Sequence, residues 1–392
     1  MREKNILVIC KDIPYPPHRN GVSSTLYNLI DQWINLKYNV SILYLSKKEI
    51  ENEKVLQKKG VIIKNQDICK NEIICGVQEN KLIKPRNSWG SSSKLFTEID
   101  ATGYDYIIYG SLITTIVFDK IHKKKQSKII FFEADSLSMY YERSMNYTKN
   151  FIKKIYFYTQ KQIATRYEKI MYQIFDKTIF VSDVDRRYAR KYCEKGKMET
   201  IKIGVAPYEG ERIKGDNSIC NIAFSGIMDY EPNIQAVNYI IEYILPLLDK
   251  IHLKYKVHII GKNPRTEWLK NRYCFEGKLV VTGYVEDIES YIAGMDIYIS
   301  PLFLGSGMKN KILQAMSIGI PIIASEISVD GINELQDKEN YLLCDDKAES
   351  WINAIRVLYS NRKMCDDFSD KCKSIIHNNY SWNNVALKII EE

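Results

Sequence analysis

The chain has 392 residues, 45% hydrophobic and 27% charged, with 19 Gly, 10 Pro and 9 Cys. That is the length and composition of a globular protein of two domains, and it excludes a disordered tail, a collagen-like repeat and a disulfide-stapled miniprotein. The net charge of +8 is unevenly spread: residues 1–207 hold 36 Lys+Arg against 22 Asp+Glu, and residues 208–392 hold 20 against 26, so the halves are expected to meet different partners.

The chain opens with Asn5–Cys10, a short apolar run interrupted at Lys11, which reads as a first strand and not as a signal peptide. A Pro/Gly loop follows, Pro14-Tyr-Pro-Pro17 to Gly21, and then Val22, Leu26, Leu29, Ile30 and Trp33 recur at helical spacing before a second run at Val40–Leu45. Further strands are predicted at Tyr104–Tyr109, Lys128–Phe132 and Thr178–Val181. The polar stretch Tyr208–Ser218 carries no apolar pattern and is expected to be a linker between a domain at 1–207 and another at 219–376. At Asn221–Phe224 the same unit restarts, with a loop at Gly226 and Pro232 and a helical stripe from Ile234 to Leu248. It closes with Lys254-Tyr-Lys-Val-His-Ile-Ile260, an echo of Lys37-Tyr-Asn-Val-Ser-Ile-Leu43. Strands at Leu279–Val281, Asp296–Ile299, Ile320–Ala324 and Tyr341–Leu343 come next, then helices at Trp351–Tyr359 and Ser381–Ile390. The final segment, 377–392, is expected to pack back on the first domain. This order predicts an α/β protein: two tandem, doubly wound, Rossmann-like domains facing a cleft, with ligands beyond the carboxyl ends of the strands.

No apolar run approaches the roughly 18–20 residues of a bilayer-crossing helix. The nine cysteines are scattered without a C-x-x-C, as suits reduced thiols in a cytoplasmic protein.

The chemistry concentrates in residues 298–325, read as strand, glycine turn, helix and strand. Gly305 and Gly307 let backbone approach a ligand closely, Met308 and Asn310 continue the turn, and the amides opening the helix point at any anion seated there. Lys309 and Lys311 at a helix N-terminus oppose the macrodipole, an arrangement that makes sense when a phosphate compensates. Gln314 lies three residues beyond Lys311, on the same face, where it can reach a sugar hydroxyl.

The run Gly305-x-Gly307-x-Lys309-x-Lys311-Ile-Leu-Gln-Ala-Met-x-x-Gly319-x-Pro321 resembles the donor-binding segment of GT-B glycosyltransferases of the retaining, family-4-like group. Phe224-Ser-Gly226-Ile-Met228-Asp-Tyr230-x-Pro232-Asn233 is similar to that family's opening of the second domain, Gly261-x-x-Pro264 to its GxxP turn, and Val281-Thr-Gly283-Tyr284-Val-Glu-Asp287 to its nucleobase-side loop. The loop at 14–21, with Gly21, is similar to its glycine-rich acceptor-domain loop. Two glutamates that many relatives place eight residues apart correspond here to Ser306 and Gln314, and Phe303 and Ile227 stand where relatives often carry basic residues.

The resemblance implies a metal-independent glycosyltransferase that uses a UDP- or GDP-linked sugar and a glycan or lipid-linked acceptor in cell-surface polysaccharide synthesis, with retention and with no cofactor. Donor contacts fall to Gly21, Gly226, Met228, Gly261, Tyr284, Gly305, Ser306, Gly307, Met308, Lys309, Asn310, Lys311 and Gln314, and Lys309 also to catalysis. A sugar-nucleotide epimerase on the same fold would need its own acidic and histidine set, which the sequence lacks. A non-catalytic sugar-nucleotide-binding partner subunit is the alternative that Ser306 and Gln314 keep open.

Asp135, just after the strand Lys128–Phe132, is the expected sugar-hydroxyl ligand or proton acceptor; capping of the following helix by Asp135 or Ser136 is the competing reading. The D-x-D at Asp183 and Asp185 opens a helical stretch and is expected to cap it rather than hold a metal. His252 and His258 are the closest histidine pair, with His258 in a strand and expected to be structural. Residues 147–177 interleave Lys149, Lys153, Lys154, Lys161, Arg166, Lys169 and Lys177 with Phe151, Ile155, Tyr156, Phe157, Tyr158, Ile163 and Tyr167, and Lys123–Lys125 adds to the charge. Peripheral contact with an anionic membrane at the inner face of the cell and a solvated helix face both fit this pattern. No nucleic-acid recognition module is present in the sequence.

Overall fold

The computed structural model describes residues 4–17, 21–46, 49–64, 97–212, 218–251, 253–269, 275 and 277–390. The chain divides into two compact units, Met1–Gly204 with Trp382–Glu392, and Val205–Ser381.

The first unit carries strands β1 (Asn5–Cys10), β2 (Asn39–Tyr44), β3 (Ile62–Ile63), β4 (Ile99–Ala101), β5 (Tyr106–Tyr109), β6 (Ile121–Lys123), β7 (Lys128–Glu133), β8 (Lys177–Phe180) and β9 (Met198–Thr200). Seven form one parallel sheet in the order β3-β2-β1-β5-β7-β8-β9, and β4 pairs with β6 alone. β1 lies between β2 and β5 and is buried from Ile6 to Cys10, which is why it reads as an unbroken apolar run rather than an alternating one.

The helix Gly21–Asn35 turns Leu26, Leu29, Ile30 and Trp33 inward at spacings of three and four. Against it lies the helix Trp382–Ile390, which buries Val385, Ala386, Ile389 and Ile390 and accepts a hydrogen bond at Ala386 O from Trp33 Nε1 (3.0 Å). Trp382 covers Gly204 so closely that a Cβ there would fall 2.5 Å from its ring.

The unit boundaries differ from the expected ones. The break falls at Gly204/Val205, and the returning segment starts at Trp382, because residues 377–379 still belong to the helix Arg362–Asn379. The described part of the expected linker belongs to the second unit. Arg212, though set in a polar stretch, donates to Met295 O (3.2 Å), Asp296 O (3.1 Å) and Gly319 O (3.4 Å). One guanidinium satisfying three backbone carbonyls fastens a segment that has no apolar pattern of its own.

The second unit carries β10 (Cys220–Ser225), β11 (Tyr255–Ile260), β12 (Leu279–Gly283), β13 (Ile297–Ser300), β14 (Ile322–Ala324) and β15 (Leu342–Leu343), parallel in the order β12-β11-β10-β13-β14-β15. In each main sheet the strand order reverses once, between β1 and β5 and between β10 and β13. Such switch points open a crevice at the carboxyl ends of the strands. The helical stripe after β10 runs Glu231–Tyr239, widens into a π turn at Ile240–Ile244 and resumes at Leu245–Leu248. The widened turn leads into Pro246, whose missing N–H a regular turn would not accommodate.

The six cysteines among the described residues are free and buried. No described helix is long and apolar enough to cross a membrane.

Candidate functional site

At the switch point of the second sheet, three loops meet through glycines. Gly226 N–H donates to Ile260 O (3.0 Å), and Gly261 N–H to Gly283 O (3.0 Å). A Cβ on Gly261 would fall 1.8 Å from Gly226 O, and its φ is +146°, so no other residue fits without moving backbone. A Cβ on Gly226 would fall 2.6 Å from Asn233 Nδ2 and 3.0 Å from Lys311 Nζ. The two glycines therefore press side chains from two helices onto bare backbone at the end of β10.

The chain leaving β13 is fixed from behind by hydroxyls. Ser328 Oγ donates to Ser300 O (2.5 Å), Ser325 Oγ donates to Leu302 O, and the two hydroxyls are 3.0 Å apart. This holds the turn Gly305–Met308 buried, with Ser306 and Met308 each 7% exposed. The helix Asn310–Ile318 follows. Its ladder begins with Ile312 N–H donating to Lys309 O (2.9 Å), so the amides of Asn310 and Lys311 come before it and face the turn.

Both lysines close on this point. Lys309 Nζ donates to Ser306 O (2.8 Å) and Gly307 O (2.6 Å), tightening the turn. Lys311 Nζ donates to Asn233 Oδ1 (2.6 Å) and sits 4.3 Å from the centre of the Phe224 ring. Burial, and then the charge of Lys309, pull its pKa down to about 7. Asn233 is itself oriented by donating from Nδ2 to Ile227 O (2.8 Å). A buried lysine whose ammonium is disfavoured, placed beside the open end of a helix, can seat an anion, because the anion's charge offsets what burial costs the ammonium.

Gln314, one turn further, donates from Nε2 to Glu289 Oε1 (3.0 Å) on the helix Ile288–Ala293. Its amide oxygen is the part left for a hydroxyl. Tyr284 follows β12 and is exposed, and Phe303 lies edge-on to Tyr239 at 4.9 Å. Met228 is fully buried in the unit's core, so its side chain is not presented to a ligand and only its backbone lies at the loop. The sequence named Asn233 only as the end of a motif, with no role of its own, and did not single out Glu289. Each holds an expected ligand, Lys311 or Gln314, from a distant stretch of chain.

In the first unit, Gly21 opens the helix Gly21–Asn35 and is exposed; residues 18–20 of its loop lie outside the described residues. Asp135 is exposed just beyond β7. Helix capping falls to Ser136, whose Oγ accepts from Met139 N–H (3.4 Å). Behind Asp135 lies a buried carboxyl cluster. Glu133, the last residue of β7, is 2% exposed, and its Oε2 has no hydrogen-bond partner among the described residues. Burial first, and then Glu168, Asp185 and Asp135, push its pKa well above the usual carboxyl range. Glu168 is raised by burial too, while accepting from Ser138 N–H (3.0 Å) and Tyr192 O–H.

The D-x-D separates. Asp183 accepts from Thr200 Oγ1 (2.7 Å) and pairs with Arg186 (3.0 Å), which holds its carboxyl below the usual range, and buried Asp185 accepts from Ser136 N–H (3.0 Å). Neither caps the helix Asp183–Arg190. Ser182 does, with Oγ accepting from Val184 N–H (3.1 Å), because it is the residue still in extended conformation ahead of the first turn. No group of three or more His, Cys, Asp or Glu among the described residues has the geometry to hold a metal ion. His258 bonds Tyr291 Oη (2.9 Å) and is pulled down to about 4 by burial and then Lys256, a neutral strand residue; His252 lies outside the described residues.

Residues 220–361 match the family described as Glycosyl transferases group 1. Among curated proteins, the chain is 25% identical over 338 residues to an uncharacterized 44.6 kDa protein in the cps region of Klebsiella pneumoniae, covering 83% of this chain and 84% of that one. It is 27% identical over 151 residues to the Escherichia coli UDP-Gal:alpha-D-GlcNAc-diphosphoundecaprenol alpha-1,3-galactosyltransferase, 38% of this chain and 37% of that one. Among solved structures, Anabaena HepE in complex with UDP superposes with a TM-score of 0.66 at 11% identity, over 98% of both chains.

Proposed function

We propose that this chain, whose residues 220–361 match the family described as Glycosyl transferases group 1, is a GT-B-fold glycosyltransferase that transfers a sugar from a UDP- or GDP-linked donor to a glycan or lipid-linked acceptor in cell-surface polysaccharide synthesis. The observation that carries the reading is the anion seat at the β10/β13 switch point, where bare glycine backbone, the amides of Asn310 and Lys311 and two lysine ammoniums converge. Support comes from the UDP held by HepE, from the UDP-Gal and diphosphoundecaprenol in the Escherichia coli relative's name, and from the cps region of the Klebsiella relative.

When the bond from the sugar's anomeric carbon to the diphosphate breaks, negative charge grows on the leaving oxygen. Donors already aimed at that position stabilise it without reorganising, and such preorganised charge is the main source of rate acceleration open to this site. Lys309 and the helix amides fill that role. Lys311 regains its full charge beside the diphosphate. Gln314 offers its amide oxygen to a ribose hydroxyl. Asp135 binds a sugar hydroxyl or takes the proton of the incoming one. Attack on the face that the diphosphate leaves gives retention and needs no strong protein base, and with two lysines on the diphosphate the reaction runs without a metal. The enzyme then works at the cytoplasmic side of the membrane, where its acceptor is presented.

The test is incubation with a panel of UDP-, GDP-, ADP- and CMP-sugars, with and without acceptor, read by chromatography of the nucleotide. Acceptor-dependent nucleotide release is expected, and Lys309→Ala should lower kcat by about a hundredfold. Inverted sugar stereochemistry without release would make it an epimerase; tight binding without turnover would make it a non-catalytic partner subunit.

A further inference from the structure

Helices Leu137–Tyr147 and Phe151–Ile174 form an antiparallel hairpin, fixed by Ser138 N–H donating to Glu168 Oε1 (3.0 Å) and by the Lys161–Glu142 ion pair. From Gln160 onward the longer helix buries a regular stripe, Gln160, Ala164, Tyr167, Glu168, Met171 and Tyr172. Before Gln160 no side chain is fully buried, and only Phe157 is half-buried, against Tyr141. Yet that opening stretch carries large apolar side chains: Phe151 is 73% exposed, Ile152 78%, Ile155 52% and Tyr158 55%. Measured back from Glu168, Phe151 stands about 25 Å along the helix axis, so these side chains sit at the tip of a projecting prong. Single exposed hydrophobes are ordinary, but a cluster on one projection marks a contact surface.

The charge says what it contacts. From residue 143 to 167 there is no Asp or Glu, while Arg143, Lys149, Lys153, Lys154, Lys161 and Arg166 are all basic. Lys161 is matched by Glu142; Lys149, Lys153 and Lys154 at the tip form no ion pair among the described residues. A groove of about 380 Å³ opens between the helices, lined by Met145, Asn146, Lys154, Ile155 and Tyr158. A second copy of this chain would bring three lysines against three. An anionic lipid surface meets both demands, apolar side chains below the headgroups and ammoniums among the phosphates.

We propose that the tip of the 137–174 hairpin, residues 147–158, docks on an anionic bilayer, with Phe151, Ile152 and Ile155 inserted and Lys149, Lys153 and Lys154 on lipid phosphates. The rest of the basic stretch takes no part, since Tyr167 is buried and Lys177 pairs with Glu199 (2.9 Å). The surface belongs wholly to the first unit and stands whether or not the donor site acts as proposed.

The experiment is co-sedimentation of the full chain with vesicles of phosphatidylglycerol and phosphatidylcholine, or of phosphatidylcholine alone, at low and high salt. Binding only to the anionic vesicles is expected. It should fall about a hundredfold in Lys149→Gln/Lys153→Gln/Lys154→Gln, near fivefold per lysine, and at least as far in Phe151→Ser/Ile152→Ser/Ile155→Ser. Both variants should keep the parent's melting temperature and UDP affinity. Equal binding to both vesicle types, undiminished binding by the variants, or a concentration-dependent dimer that the apolar variant abolishes would each overturn the proposal. Loss of UDP binding in the unmodified chain would instead overturn the donor-site reading and leave this one standing.

Discussion

Gly261 and Gly283 make a matched pair for testing whether the donor seat depends on bare backbone contact. Both have positive φ, +146° and +72°, but a Cβ on Gly283 would meet nothing within 4 Å, whereas one on Gly261 would fall 1.8 Å from Gly226 O. Gly283→Ala therefore carries only the cost of a left-handed alanine, about 1 kcal/mol. Gly261→Ala adds the forced separation of two backbones to its strained φ, together about 3–5 kcal/mol. For a unit of this size each kcal/mol shifts Tm by about 2–4 °C, so the expected losses are about 2–4 °C and about 6–20 °C. Separation also lifts Gly226 away from Asn233 and Lys311, so UDP affinity should drop at least tenfold in Gly261→Ala and hold in Gly283→Ala. Scanning calorimetry and titration of UDP measure both quantities. If the two variants melt together and bind UDP alike, the close approach of the β10 and β11 loops does not organise the site.

Four further outcomes follow from buried ionisable groups and one buried indole. Lys311 has its pKa pulled to about 7 by burial, so the unfolded chain binds more protons above that pH, and stability should rise as pH climbs from about 7 towards 10.5. A diphosphate beside it restores the charge, so UDP binding at pH 8 should take up about 0.9 proton; calorimetry in buffers of different ionisation enthalpy reads this, and Lys311→Met should abolish it. Glu133 is shifted the other way: the folded state holds its proton above the usual carboxyl range, so stability falls as pH rises through that window. Glu133→Gln should raise Tm at pH 8 and flatten its decline from pH 5, and an unchanged slope would place the proton elsewhere. Trp33→Phe removes the buried indole donor to the Ala386 carbonyl, which keeps its helical partner, at a cost of about 1 kcal/mol read as a lower Tm of the first unit.

The strands that the sequence announced are those buried on both faces, such as Asn5–Cys10 and Cys220–Ser225, where parallel pairing leaves no polar face to interrupt an apolar run. The elements it concealed have weak local patterns. The helix Ile50–Lys58 buries only Glu53 and Leu56, and Arg362–Asn379 places cysteines at two of its inward positions, Cys365 and Cys372. Strands such as β3, of two residues, and β6 and β9, of three each, are too short to show a period. The candidate site divides along the same line. The glycine turn, the helix start and both lysines are contiguous, and were legible because a turn and a helix terminus are local chemistry.

What sets their electrostatics is not contiguous. Lys311 is held by Asn233, 78 residues away, a pairing that exists because β10 and β13 are neighbours in the sheet, and Gln314 is held by Glu289, 25 away, on the helix that crosses from β12 to β13. Burial likewise separated Asp185 from Asp183, which spacing alone treated as one, and it set Glu133 apart from the exposed Asp135 two residues on. The sequence could therefore name the groups that would meet a diphosphate, while their protonation states are properties of the sheet order. A substitution at Asn233 should alter the titration of Lys311 as surely as one at its own neighbours: Asn233→Ala removes the amide oxygen that favours the ammonium, so the pH optimum for UDP binding should move down.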